Sequence, residues 1–137
     1  MTLVTRPTAE LEGPALDWAV ARVEGHSLPP FPGRSGIKQC WINVGPATHD
    51  VFAPSTDWQQ GGPLIEKHNL TIERPIEMRG CAVTGFHDWR ADHPKNFGGL
   101  IRYSGRGKTA LIAACRAIVA SKLGDTVQVP EELLTCA

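Results

Sequence analysis

The chain lacks net charge, with 14 Lys and Arg against 14 Asp and Glu, so it does not carry the basic footprint of a general nucleic-acid binder. It also lacks any apolar run long enough for a signal peptide or a membrane span, and the opening stretch MTLVTRPTAELEG points to the cytosol. No membrane partner is expected. Close cysteine pairs are missing too: Cys40, Cys81, Cys115 and Cys136 lie 41, 34 and 21 positions apart. That spacing excludes the paired motifs of zinc and redox sites, and leaves ordinary thiols with no metal and no cofactor. No internal repeat is present. No Ser or Cys sits in a motif that marks an activated nucleophile, so the expectation is a protein that is not an enzyme.

What is present fits one domain spanning residues 1–137. That length permits one hydrophobic core and is short for two. Apolar residues make up 42% of the chain, while 14 Gly and 11 Pro predict many turns. Charge is unevenly placed: seven bases stand against Asp92 alone between Arg90 and Lys122, and each flank carries an excess of three acids. Such a zone could meet phosphate, or could be solvated surface.

Three helices are expected. The first, Pro14 to about Glu24, opens at Gly13-Pro14 and stops at Gly25, with Leu16, Ala19, Val20 and Val23 as its apolar stripe and Trp18 beside it. The second opens near Asp57, where Thr56 and Gln59 have capping-box spacing. Pro63 predicts a kink or restart at Gly62-Pro63, and Asn69 a stop. The third runs from a Thr109 cap to Gly124, with Leu111, Ile112, Cys115, Ile118, Val119 and Leu123 on its apolar face. The run IKQCWINVG reads as a strand, and LTIERPIEM, GCAVTGFHDW and GGLIRYS as short β segments. The stretch HDWRADH reads as a turn, and TVQVPEELL as a short extended piece with one helical turn. The fold class is α+β, with about three helices packed on a small, mainly antiparallel sheet.

Two stretches suggest a site. Gly107-Lys108-Thr109 heads a helix as a phosphate loop does, but the motif's first glycine is replaced by Arg102, and too little chain follows for a nucleotide hydrolase. Gly105 and Gly107 then make a mobile turn, and Arg106 and Lys108 could meet an anion at the helix start. The second stretch, PSTDWQQGGP, gathers Thr56, Asp57, Trp58, Gly61 and Gly62 around a helix break. Polar groups there could converge beside an indole, with the paired glycines letting backbone come close to a partner. The structural alternative has Trp58 in the core. His87 and His93, with Asp88 and Asp92 nearby, match no ligand or catalytic spacing, and a small hydrolase built on them is the weakest of the three function classes.

The blocks ALDWAVARVEG, PSTDWQQGGPLIEK and GKTALIAACRAIVASKLGDTVQVPEEL together resemble the NinX-like proteins, small accessory proteins of tailed phages. They cover roughly two-fifths of the chain. The chain departs from the family pattern at Ala110, where relatives often have Pro, and at Cys115, where they often have Met. The middle, from about Thr71 to Ser104, is unmatched. The resemblance implies a phage gene product acting in the host cytoplasm, without assigning an activity. Asp17, Trp18, Thr56, Asp57, Trp58, Gly61, Gly62 and Arg116 fall in the matching blocks. Arg116 lies beside the apolar face of the last helix, where its charge calls for a carboxylate such as Asp17 or Asp57, or for a bound anion. The preferred expectation is binding of a small anionic or nucleotide-like ligand to counter host defence, with Trp18 or Trp58 stacking on a base and Arg106, Lys108, Thr109 or Arg116 meeting phosphate. The alternative is a protein–protein inhibitor of a host defence complex, working as a monomer or a homo-oligomer.

Overall fold

Thr109 opens the helix around which the rest of the chain is arranged. The computed structural model describes residues 2–29, 39–94 and 103–134. Thr109 Oγ1 accepts the Ile112 N–H at 3.1 Å, so Thr109 is the N-cap the sequence predicts. The helix runs Ala110–Leu123 (α3) and ends at Gly124, whose φ of 87° lies in the left-handed region that favours glycine. Nine of its residues are buried, from Ala110 through Ala120. A helix apolar on nearly every side belongs in the middle of a core.

One side of α3 meets the helix Gly13–Val23 (α1), where Leu16, Ala19 and Val20 are fully enclosed with Cys115 and Val119. That cluster is closed by the antiparallel pair of Leu3–Pro7 (β1) and Thr126–Pro130 (β9), which brings the two ends of the described chain together. Thr8 Oγ1 donates to the Gly124 carbonyl at 2.6 Å and fixes that closure. Trp41–Gly45 (β2) and Thr48–Val51 (β3) form a separate antiparallel pair. Its Ile42 enters the same core, whereas Val44 is exposed.

The helix Trp58–Lys67 (α2) is one continuous segment through Pro63, where a kink or restart is expected from the sequence. Gly62 explains part of this. A residue before proline is pushed out of the helical region largely by a clash between its Cβ and the ring, and glycine has no Cβ. The cap is Asp57, whose Oδ1 accepts the Gln59 N–H at 3.0 Å; Thr56 is exposed and does not cap. Asn69, with φ 53°, ends the helix as expected.

The other side of α3 carries a three-stranded antiparallel sheet: Thr71–Glu73 (β4), Trp89–Asp92 (β7) and Ser104–Gly107 (β8), in the order β4-β7-β8. Ile76–Arg79 (β5) and Ala82–Phe86 (β6) form a hairpin of their own. The described residues are thus α+β, with four small antiparallel sheets in place of one. Two expectations are corrected here. Trp89–Asp92 of HDWRADH is a strand rather than part of a turn, because Trp89 and Ala91 both face α3 and Ala91 is wholly buried. Gly105 and Gly107 are not a mobile turn either: both are buried in β8, which lies flat on α3. A Cβ on Gly105 would stand 2.3 Å from the Ala113 carbonyl oxygen, and one on Gly107 would stand 2.5 Å from Ile112 Cγ2. The alanines of α3 and the glycines of β8 answer one need, close approach of strand and helix. Arg102, Cys136 and most of GGLIRYS lie outside the described residues, as does much of the proline-rich loop after His26.

Candidate functional site

The two suggestive stretches meet. Trp58, at the first position of α2, is 59% exposed and lies on the surface. It lines an open groove of about 680 Å³ that also takes in Lys108, Thr109 and the first turn of α3. The floor and far wall are Ile65, Ile72, Trp89, Leu111 and Ile112, and Ser55 and Thr56 stand at the polar end. The groove thus has two indoles, an aliphatic floor, one lysine and a helix N-terminus. The first backbone N–H groups of a helix have no acceptor within it. Ile112 N–H is taken by the Thr109 hydroxyl, and Ala110 and Leu111 border the groove. Positive potential therefore gathers at the end where Lys108 stands.

The entry to α2 is held rigidly. Ser55 N–H donates to Asp17 Oδ1 at 2.9 Å, from a loop to the buried face of α1. Burial pushes the Asp17 carboxyl up to about 6, against the hydrogen bonds from Ser55, which lower it. The Ser55 hydroxyl lies near enough to Asp17 to contribute to that lowering, yet it makes no hydrogen bond of ordinary geometry. Gln60 braces the same loop from within: its Oε1 accepts Ala53 N–H at 2.9 Å and its Nε2 reaches the Val51 carbonyl at 3.3 Å. These bonds set where Trp58 projects. The same core pushes two thiols upward through burial, Cys40 to about 12 and Cys115 well above its ordinary value, with Asp17 adding to both.

The remaining expected site residues lie elsewhere. Trp18 is 6% exposed in the main core, with the Arg22 guanidinium 5.3 Å over its ring, so it offers no face to a ligand. Gly61 is buried against Pro54 and Leu111, and a Cβ there would stand 2.3 Å from the Pro54 carbonyl oxygen; its missing side chain serves the protein's own packing. Gly62 is half-buried beside Trp58. Asp57 is occupied as a cap and also accepts from Gln60 at 3.3 Å.

Arg106 alternates with the two buried glycines of β8, so it stands on the sheet face away from α3, opposite Arg90. Arg116 is tied into the backbone: its Nε donates to the Leu11 carbonyl at 2.8 Å and one terminal nitrogen to the Arg106 carbonyl at 2.6 Å. Burial lowers its pKa, opposed by the fields of Glu12 and Asp88. Its bonded partners are carbonyls, not the carboxylates of Asp17 or Asp57.

His87 and His93 flank opposite ends of β7, and six residues of extended chain separate them by roughly 20 Å. They share no site. His93 is buried, its ring 5.6 Å from that of His68, whose Nε2 lies 3.0 Å from Glu24 Oε2. Burial raises the Glu24 carboxyl, but the bonds from Lys67 and His68 outweigh it and hold the group below its ordinary value. No cluster among the described residues has the make-up of a metal site, and none of their helices is long and apolar enough to cross a membrane.

Sequence reasoning missed Trp89, Ile72 and Ser55. A signal for Trp89 was present: in WRAD the apolar residues alternate, which puts Trp89 and Ala91 on one face of a strand.

A search of curated proteins finds no match to the chain. The family described as "Bacteriophage P22, NinX" matches residues 7–122, including the middle stretch that the three sequence blocks leave open.

Proposed function

We propose, for a chain that belongs to the phage P22 NinX family, that it acts in the host cytoplasm as a non-enzymatic binding protein. Its ligand is a small anion bearing a flat ring, nucleotide-like in character, withheld from a host defence system. The observation that carries this reading is the exposed Trp58 indole sharing one groove with Lys108 and the first turn of α3. A planar base has an aromatic face to stack on, and a phosphate has an ammonium and unbonded helix amides to meet. The apolar floor of Ile72, Leu111 and Ile112 fits the body of such a ligand. Trp18, Arg106 and Arg116 have no part in it, for the reasons of packing and bonding given above.

Incubation with purine mononucleotides and cyclic dinucleotides, removal of free compound, denaturation and chromatography test this. Retention and release of the intact compound is the expected result, and recovery of altered products rejects sequestration.

A second reading, a protein inhibitor of a host defence complex, draws on the openness and mainly apolar lining of the same groove. It predicts a host protein retained by the wild type and lost with Trp58→Ala, with no nucleotide bound.

A further inference from the structure

The hairpin of β5 and β6 pairs with no other strand among the described residues. A two-stranded sheet alone is marginal in water and usually gains a further strand or a packed face. Ile76 stands opposite Phe86 and Met78 opposite Val83, which sets four apolar side chains on one face. They are 47, 63, 49 and 51% exposed, and they gather on one hairpin face, whereas Leu3, Val44 and Trp58, the other large apolar side chains exposed among the described residues, belong to other elements.

The two edges of this hairpin differ. Glu77 faces Gly85 and the next residue, Met78, faces Val83, so Thr84 is an extra residue that bulges β6. A bulge blunts an edge against pairing. β5 is regular. The Pro75 carbonyl accepts His87 N–H at 2.8 Å and the Glu77 carbonyl accepts the Thr84 hydroxyl at 3.2 Å. Carbonyls at these odd positions therefore point into the hairpin, and alternation turns the N–H and C=O of Ile76 and Met78 to the free edge.

Charge adds direction. Glu77 and Arg79 are exposed, and neither enters an ion pair among the described residues. Antiparallel pairing of two β5 strands about a two-fold axis at Met78 places each Glu77 opposite Arg79 of the partner subunit. The same register sets the outward N–H and C=O of Met78 against those of Met78 of the partner subunit.

We propose that β5 is the edge through which two copies of this chain pair, giving a four-stranded antiparallel sheet with the two hairpins edge to edge. The paired Met78 side chains cover each other, and reciprocal Glu77–Arg79 pairs fix the register. This proposal is independent of the groove, which lies on α2, α3 and the β4-β7-β8 sheet.

Sedimentation velocity across a wide range of protein concentration tests it. The wild type should shift from monomer toward dimer as concentration rises. Glu77→Arg, which sets like charges opposite each other at two places, should raise the dissociation constant roughly tenfold. The exchanged pair Glu77→Arg with Arg79→Glu should restore it. These are exposed positions, so circular dichroism should show all three proteins folded. A monomer at every concentration overturns the proposal, as does a dimer indifferent to Glu77→Arg or not restored by the exchange.

Discussion

The Ser55 backbone N–H donates to the buried Asp17 carboxylate at 2.9 Å across 38 positions of sequence. That bond connects α1 to the loop from which Trp58 projects, and the burial of its acceptor makes the scaffold of the groove sensitive to pH. The Asp17 carboxyl is raised from 3.8 to about 6 by burial. A group with a raised folded-state pKa contributes stability that is full below the unfolded value and lost as pH rises through the folded one.

Asp17→Asn keeps an oxygen for Ser55 and removes the charge. Between about pH 3 and pH 7 the wild type should therefore lose roughly 3 kcal/mol relative to this variant. Urea titrations at a series of pH values measure the difference. A constant difference between the two proteins across that range contradicts the account.

The glycines divide by what surrounds them. Gly105→Ala drives a Cβ into the Ala113 carbonyl and the Ala117 amide, both backbone, and should cost about 3 kcal/mol or more. Gly62→Ala meets only Trp58 Cε3 at 3.8 Å apart from its chain neighbours, but the new Cβ also crowds the Pro63 ring, so the helix-propensity gain is offset and stability should change by less than about 1 kcal/mol. Chemical denaturation of both variants checks the contrast, and equal effects would contradict it.

Arg116→Ala removes the donor from the Leu11 and Arg106 carbonyls. It should cost about 2 kcal/mol of stability, with ligand affinity unchanged once the protein is folded. A large loss of affinity with stability intact would assign Arg116 a binding role that its bonds do not support.

These contrasts show which features the sequence makes readable. α1 and α3 follow from local signals: a proline at the first turn, a threonine cap, apolar period and terminal glycines. The Thr109 cap is therefore found where it is expected. The SGRG stretch misleads because glycine is used both where backbone turns sharply and where backbone packs closely. Only the alanine face of α3, distant in sequence, decides that Gly105 belongs to the second case. Pro63 misleads because its usual penalty is eased by the glycine before it.

For the groove, residue type identifies Trp58 and Lys108 as candidates, but their meeting depends on how α2 and β8 both lie on α3. Trp18 and Arg116 share the same chemistry and are spent on the core and on backbone carbonyls. No local pattern separates the two outcomes.

The central claim is that Trp58 and Lys108 hold one ligand between them. Its most direct test is calorimetric titration of purine nucleotides into the wild type, Trp58→Ala and Lys108→Ala, with Arg106→Ala as the control on the far face of the sheet. The account predicts wild-type affinity in the control and a loss of roughly tenfold or more in each of the other two, the scale of a stacking or charge-assisted contact. Binding that survives both groove substitutions, or that falls equally with Arg106→Ala, would contradict it.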